Sequence, residues 1–359
     1  MKRAFGVLAA LLLLGGVAFA LLRPTGDDLV TVKGVIGSEK REFFEDPEVK
    51  AELAKQGIKV SADSAGSWQM SDINLDDRDF AFPASQAAAE SIQAKRGLTG
   101  TLVRPFYSPL VIMAHVPTAN VLVNAGMATR DETTGVVTFK MDELLKALRQ
   151  SKRWEQLEAP DKPGDLGGDI FLTTTDPATS SSGALYVSVL SYLLNGRQVV
   201  ADEAGVQKVK GDLYTAFSKQ GGLKKSTDEP FADFLSNAGG PLVLAYESQA
   251  AELVVKGKAP ADLTVLYPDT TIVSDHTIVG LTANGRKLAD QLNTNAKLRE
   301  LAAKYGFRPR EDPAAFAARV KGKKQPPYLA ADLTAANIKQ APVPVPDILA
   351  KLTNTAKGK

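Results

Sequence analysis

Strand patterns and helix patterns alternate along most of this chain, and each strand runs through a short polar loop into a helix. That order constrains the fold most, because a strand–helix–strand crossover makes its two strands parallel and covers their sheet with helices. The first unit is the clearest. Leu29–Ile36 (LVTVKGVI) is rich in β-branched residues, Asp46-Pro47 is a helix cap followed by proline at the first helical position, and Val49 and Leu53 share a face. Gly57 then stops the helix and Ile58–Ala62 forms the next strand. Further on, Phe80–Phe82 turns through Pro83-Ala84-Ser85 into a helix over Gln86–Ala94. Leu110–Ala114 (LVIMA) is continuously apolar, as in a strand covered on both faces, and a second apolar strand is expected near Val121–Val123. Met141–Leu148 is amphipathic. Asp169–Thr174 reads as a strand, followed by a helix with Leu185, Val189 and Leu193 on one side. Pro241–Ala245, Leu263–Leu266 and Thr277–Leu281 complete the strands, and Leu288/Leu292 and Leu298/Leu301/Tyr305 mark two late helices. The expectation is an α/β fold with a central mixed, mostly parallel sheet in each of two lobes. In such sheets ligands sit beyond the carboxyl ends of the strands.

A length of 359 residues suits two lobes rather than one core. The formal net charge is +2, and Lys2 and Arg3 account for it, so no basic field argues for nucleic acid. There is no cysteine, which excludes thiolate metal sites, a thiol nucleophile, disulfides and a lipidated cysteine anchor. After Met1-Lys2-Arg3, residues 4–22 contain no charged side chain. Ala18-Phe19-Ala20 reads as a signal cleavage site, whereas the 19-residue apolar length approaches a membrane span. Residues 1–27 are therefore a signal peptide or an N-terminal membrane anchor, and either exports the rest of the chain. From Lys321 onward, Pro326-Pro327 and the alternating prolines at 342, 344 and 346 break up the pattern. Residues 323–359 read as a partly extended arm with one or two short helices.

Several strand-to-helix junctions carry small hydroxyl residues: Ser38, Ser85, the run Thr179-Ser180-Ser181-Ser182-Gly183, and Tyr246-Glu247-Ser248. Ser67 and Trp68 lie in another polar loop after the second strand. A helix start offers unpaired N–H groups and partial positive charge, a hydroxyl adds a donor, and small residues admit a ligand to the backbone. Such positions suit an oxyanion or carboxylate. Each alone is equally an ordinary cap, but four consecutive hydroxyls and a glycine exceed what one cap requires. Glu247, at the end of an apolar strand, can accept a ligand proton or meet a cation. His115 and His276 are the only histidines and read as structural. No phosphate-loop or dinucleotide fingerprint, nucleophile elbow or metal-ligand spacing occurs, so no catalytic residue, metal or cofactor is expected. A triad of Ser182, His276 and a carboxylate is the remaining enzymatic reading.

In order, DFAFPASQ (79–86), SPLVIMAHV (108–116), FKMDELLKAL (139–148), TSSSGALYVSVL (179–190), PLVLAYESQ (241–249), YPDTTIVSDHTIVGL (267–281) and LRELAAKYGFRP (298–309) resemble the type II periplasmic solute-binding proteins of ABC transporters, in the molybdate, phosphate and sulfate branch. The resemblance implies one lobe of residues 28–113 plus 274–322 and a second of 114–273, with a ligand cleft between them. It implies that Ser38 and Ser85 face Ser181 and Ser182 across the cleft, with Tyr246 and Glu247 beside them. It further implies a small anionic ligand, an ABC-type membrane transporter as partner, and a place on the periplasmic or extracellular side of the membrane. The alternative is a membrane-tethered scaffold or sensor of the same fold, acting on a protein partner through its tail.

Overall fold

The computed structural model describes residues 29–160, 162–322 and 326–359. The expected leader over residues 1–27 lies outside them. Among the described residues no helix is long and apolar enough to cross a membrane.

Strands β1 (Val30–Ile36) and β2 (Ile58–Ser64) are joined by α1 (Arg41–Glu45) and α2 (Pro47–Ala54). They pair in parallel, with Val30 opposite Ile58. The Asp46 carboxylate caps α2, accepting from the backbone N–H groups of Glu48 and Val49 at 2.6 and 3.2 Å, as Asp-Pro at a helix start predicts. β3 (Phe80–Phe82) pairs in parallel with the other edge of β1 and enters α3 (Gln86–Lys95). β4 (Val103–His115) then runs through both lobes. Its first half pairs antiparallel with β10 (Val273–Gly280), and its second half with β7 (Val243–Tyr246) and β8 (Leu263–Pro268).

The second lobe contains α4 (Val116–Asn124), β5 (Ala128–Arg130), β6 (Val137–Phe139), α5 (Met141–Arg149), α6 (Ser181–Leu194), α7 (Glu203–Ser218), α8 (Asp228–Leu235) and α9 (Glu247–Val255). The chain returns through β9 (Thr270–Thr271) to β10, α10 (Ala283–Thr294), α11 (Ala296–Lys304), β11 (Arg308–Pro309) and α12 (Pro313–Val320), and ends with β12 (Lys339–Gln340) and α13 (Pro346–Ala356). The main strand order is β2-β1-β3-β10-β4-β8-β6-β5, with β7 and β11 also against β4. The sheet is mixed as expected. Its parallel share is smaller than expected, because the strands that carry the chain between lobes pair antiparallel.

Two local expectations need correction. Val121–Val123 lies in α4, not in a strand. Pro117 sits in the first turn of that helix, and a short apolar run has no period that separates strand from buried helix. Residues 169–174 form no strand of the sheet and meet it through isolated bridges, Asp169 to Arg153 and Thr173 to Val243.

The first lobe is centred on aromatic side chains. Phe106 stacks on Phe307 with centroids 4.4 Å apart, and Phe43 meets Phe106 and Tyr305 edge-on. Each such pair contributes about 0.5–1.5 kcal/mol beyond its buried area. In the second lobe α6 is buried on every side from Ser181 to Ser191, as its nearly unbroken apolar composition requires. A buried helix keeps its axis fixed, so its N-terminus is held firmly at the boundary between lobes.

Candidate functional site

Three helix N-termini meet at the lobe boundary. α3 from the first lobe starts at Ser85, whose extended backbone (φ −139°, ψ 150°) makes it the N-cap. From the second lobe, α6 starts after Ser180 and α8 after Thr227, neither of which caps with its own side chain. Those hydroxyls turn instead toward one another. Ser85 Oγ lies 2.8 Å from Ser181 Oγ, across the boundary. Ser182 Oγ lies 2.7 Å from Thr175 Oγ1, 3.0 Å from Ser180 Oγ and 3.1 Å from Thr227 Oγ1. Ser38, in a 3-10 turn after β1, donates to Ser226 Oγ at 3.2 Å, a second hydroxyl pair across the boundary. The Tyr246 phenol is buried beside Ser182, Thr227 and Ser274, and burial, followed by the charge of Glu39, holds its pKa well above the ordinary value.

Backbone contacts close the same boundary. Trp68 N–H donates to the Thr179 carbonyl at 3.2 Å, and a Cβ on Gly66 would stand 2.5 Å from that oxygen. Ser67 Oγ accepts from Ala84 N–H at 3.0 Å, tying the loop after β2 to the turn before α3. Gly183 is required by packing: a Cβ there would lie 2.5 Å from the Thr175 carbonyl and 2.9 Å from Pro177. Only glycine lets the first turn of α6 sit this close to the loop that precedes it.

A charged group lies behind the hydroxyls. Lys40 is fully buried, with its ammonium bonded to Glu39, 3.1 Å from His276 Nδ1 and 4.8 Å from the centre of the Phe82 ring. Burial pushes Glu39 up, but Lys40 and His276 outweigh it and hold its carboxyl at about 2. Burial, reinforced by the Lys40 charge, brings His276 down to about 4. At neutral pH the imidazole is therefore neutral. With Lys40 donating to Nδ1, its proton is on Nε2, which is buried, has no hydrogen-bond partner among the described residues and has the Phe106, Phe307 and Tyr246 rings packed against its ring. Asp228, at the first position of α8, has its carboxyl raised by burial, partly offset by the Ser38 hydroxyl, and accepts from Gln249 Nε2 at 3.2 Å.

The residues singled out in the sequence thus separate into two groups. Ser38, Ser67, Ser85, Thr179, Ser180, Ser181, Ser182, Gly183 and Tyr246 all lie along the lobe boundary. Glu247 does not join the hydroxyls. Tyr246 ends β7 and faces the boundary, whereas Glu247 is the first residue of α9, where the chain changes direction, and its carboxylate takes two hydrogen bonds from Arg308, at 2.6 and 2.8 Å, and one from Tyr267. Glu39, Lys40, Asp228 and His276 were not assigned to the site from sequence. The clue to the first three is the continuity of Ser38-Glu39-Lys40 and of Ser226-Thr227-Asp228 with hydroxyl residues, whereas His276 has no such local signal. The enzymatic reading lacks its geometry: Ser182 is bonded to hydroxyls, and His276 Nδ1 faces Lys40.

No protein-family model matches the chain, and no curated protein matches it. Solved structures do. An ABC transporter protein from Clostridium perfringens superposes with a TM-score of 0.52 at 12% identity, over 91% of this chain and 99% of that one. The sulfate-binding protein SubI from Mycobacterium tuberculosis superposes with a TM-score of 0.50 at 16% identity, over 88% of this chain and 93% of that one. The chain has the two-lobed α/β fold of type II periplasmic binding proteins.

Proposed function

We propose that this chain is an extracytoplasmic solute-binding protein that captures a small anion between its lobes and presents it to an ABC-type transporter. In this reading the lobes are residues 28–113 plus 274–322 and residues 114–273, hinged where β4 and β9–β10 cross, and residues 1–27 export or tether the chain. The observation that carries the reading is the meeting of Ser85 and Ser181, 2.8 Å apart, at the starts of two helices from opposite lobes. Each helix start contributes roughly half a positive charge and unpaired N–H donors. The start of α8 adds a third set beside Ser182. Lys40 and Glu39 cancel one another, so the helix starts set the local potential. Asp228 is the acceptor available to an anion that carries a proton, the role Glu247 cannot take while it is paired with Arg308.

Thermal unfolding of the full chain with sulfate, molybdate, phosphate and short carboxylates tests this. One anion is expected to raise the midpoint, since a ligand at 100 times its Kd stabilises the folded state by about 2.7 kcal/mol. Ser85→Ala with Ser181→Ala should abolish that rise. No stabilisation by any anion contradicts the reading and leaves the tethered scaffold as the better account.

A further inference from the structure

The C-terminal arm connects the hinge to the hydroxyl site. At one end β12 pairs in parallel with β9: Lys339 N–H donates to the Asp269 carbonyl at 3.0 Å and Ala341 N–H to the Thr271 carbonyl at 2.7 Å. β9 lies on the return crossing between lobes, and Thr271 Oγ1 itself donates to the Leu110 carbonyl of β4, the outward crossing, at 2.6 Å. At the other end α13 buries Leu349, Leu352 and Ala356 in the second lobe's core against α6 and α7. Lys357 then reaches Asp176 at 2.7 Å, in a pair that is mostly shielded from water. Asp176 is the base of the hydroxyl loop: its carbonyl accepts from Thr179 and Ser180 N–H at 3.2 and 2.9 Å. Between these anchors, Val343–Pro346 faces Ser85, Gln86 and Glu90 of the first lobe across a cavity of about 330 Å³.

We infer that residues 339–357 are a strap that favours the closed arrangement of the lobes. Both ends are fixed to the second lobe and hinge, and the middle lines one wall of that cavity opposite α3 of the first. Opening the lobes would carry α3 away from the strap and lay the cavity open to water. Releasing α13 would remove the wall that the strap supplies and free the Asp176 loop that positions Ser180–Ser182. The inference depends on the two-lobed fold and not on any ligand.

Because the chain has no cysteine, a label pair can be placed cleanly. Ala94→Cys on α3 and Gln150→Cys after α5 are exposed positions on opposite lobes. Pulsed electron paramagnetic resonance on the doubly labelled full chain, without added anion, should give one distance population. Leu349→Asp with Leu352→Asp should add a second population at longer distance. If that variant fails to fold, Lys357→Glu sets like charge against Asp176 without touching the apolar face of α13 and should produce the same second population. A folded variant of either kind that keeps the parent distribution overturns the strap, and that result would leave the anion-binding reading untouched.

Discussion

Lys40 illustrates how strongly a single buried residue depends on its neighbours. A fully buried ammonium is tolerated because Glu39, the His276 ring nitrogen and the Phe82 face surround it. His276 has the converse problem, since it must stay neutral beside that cation. Its folded pKa of about 4 lies below the ordinary 6.5. As pH falls from about 6.5 toward 4, the unfolded chain takes up a proton that the native site refuses. Stability is therefore complete above about pH 6.5 and declines below it, by about 3 kcal/mol at pH 4, from 1.36 kcal/mol per unit. Glu39, at about 2 when folded against 4.5, adds a further loss only below about pH 4.5, and the raised Asp228 opposes it there. His276→Asn keeps an acceptor for Lys40 but does not titrate. Urea midpoints of this variant should change less between pH 7 and pH 5 than those of the parent chain. An unchanged slope would show that His276 is not the group responsible.

At the scale of elements, the β7–α9 junction shows what was legible in the sequence. That an apolar strand ends at a helix start could be read from PLVLAYESQ, and Tyr246 does reach the site. The fate of Glu247 could not be read, because Arg308 is 61 residues away and only the fold brings it near. The same limit hid Lys40 and His276, separated by 236 residues. By contrast, the hydroxyl run before α6 was legible, since its density of small polar residues is a local property. The Glu247–Arg308 pair is buried and bidentate, and Arg308 also donates to the Ala330 and Ala331 carbonyls of the arm. Arg308→Met should cost about 3–5 kcal/mol in urea unfolding, because it leaves the Glu247 carboxyl in the interior with the Tyr267 hydroxyl but no counter-charge. Arg308→Met combined with Glu247→Gln should recover part of that loss. A cost below about 1 kcal/mol for the single change would mean that the pair is effectively solvated, as exposed pairs are.

On the scale of the whole molecule, two α/β lobes share a continuous sheet through β4, and their boundary is lined by hydroxyls. The alternation of strands and helices was enough to expect this architecture. It did not show that the crossing strands pair antiparallel, or that the arm packs into the second lobe's core, since both depend on long-range pairing rather than on local pattern. The central claim is that helix starts from both lobes form one anion site. Calorimetric titration of the full chain with the anion that stabilises it most, repeated on Ser85→Ala with Ser181→Ala, tests this most directly. A hydrogen bond to a charged group is worth about 1.5–3 kcal/mol, and 1.4 kcal/mol is a tenfold change in Kd. The account predicts one site per chain and at least a tenfold weaker Kd in the double variant. Equal affinity in the two proteins would place the anion elsewhere and contradict it.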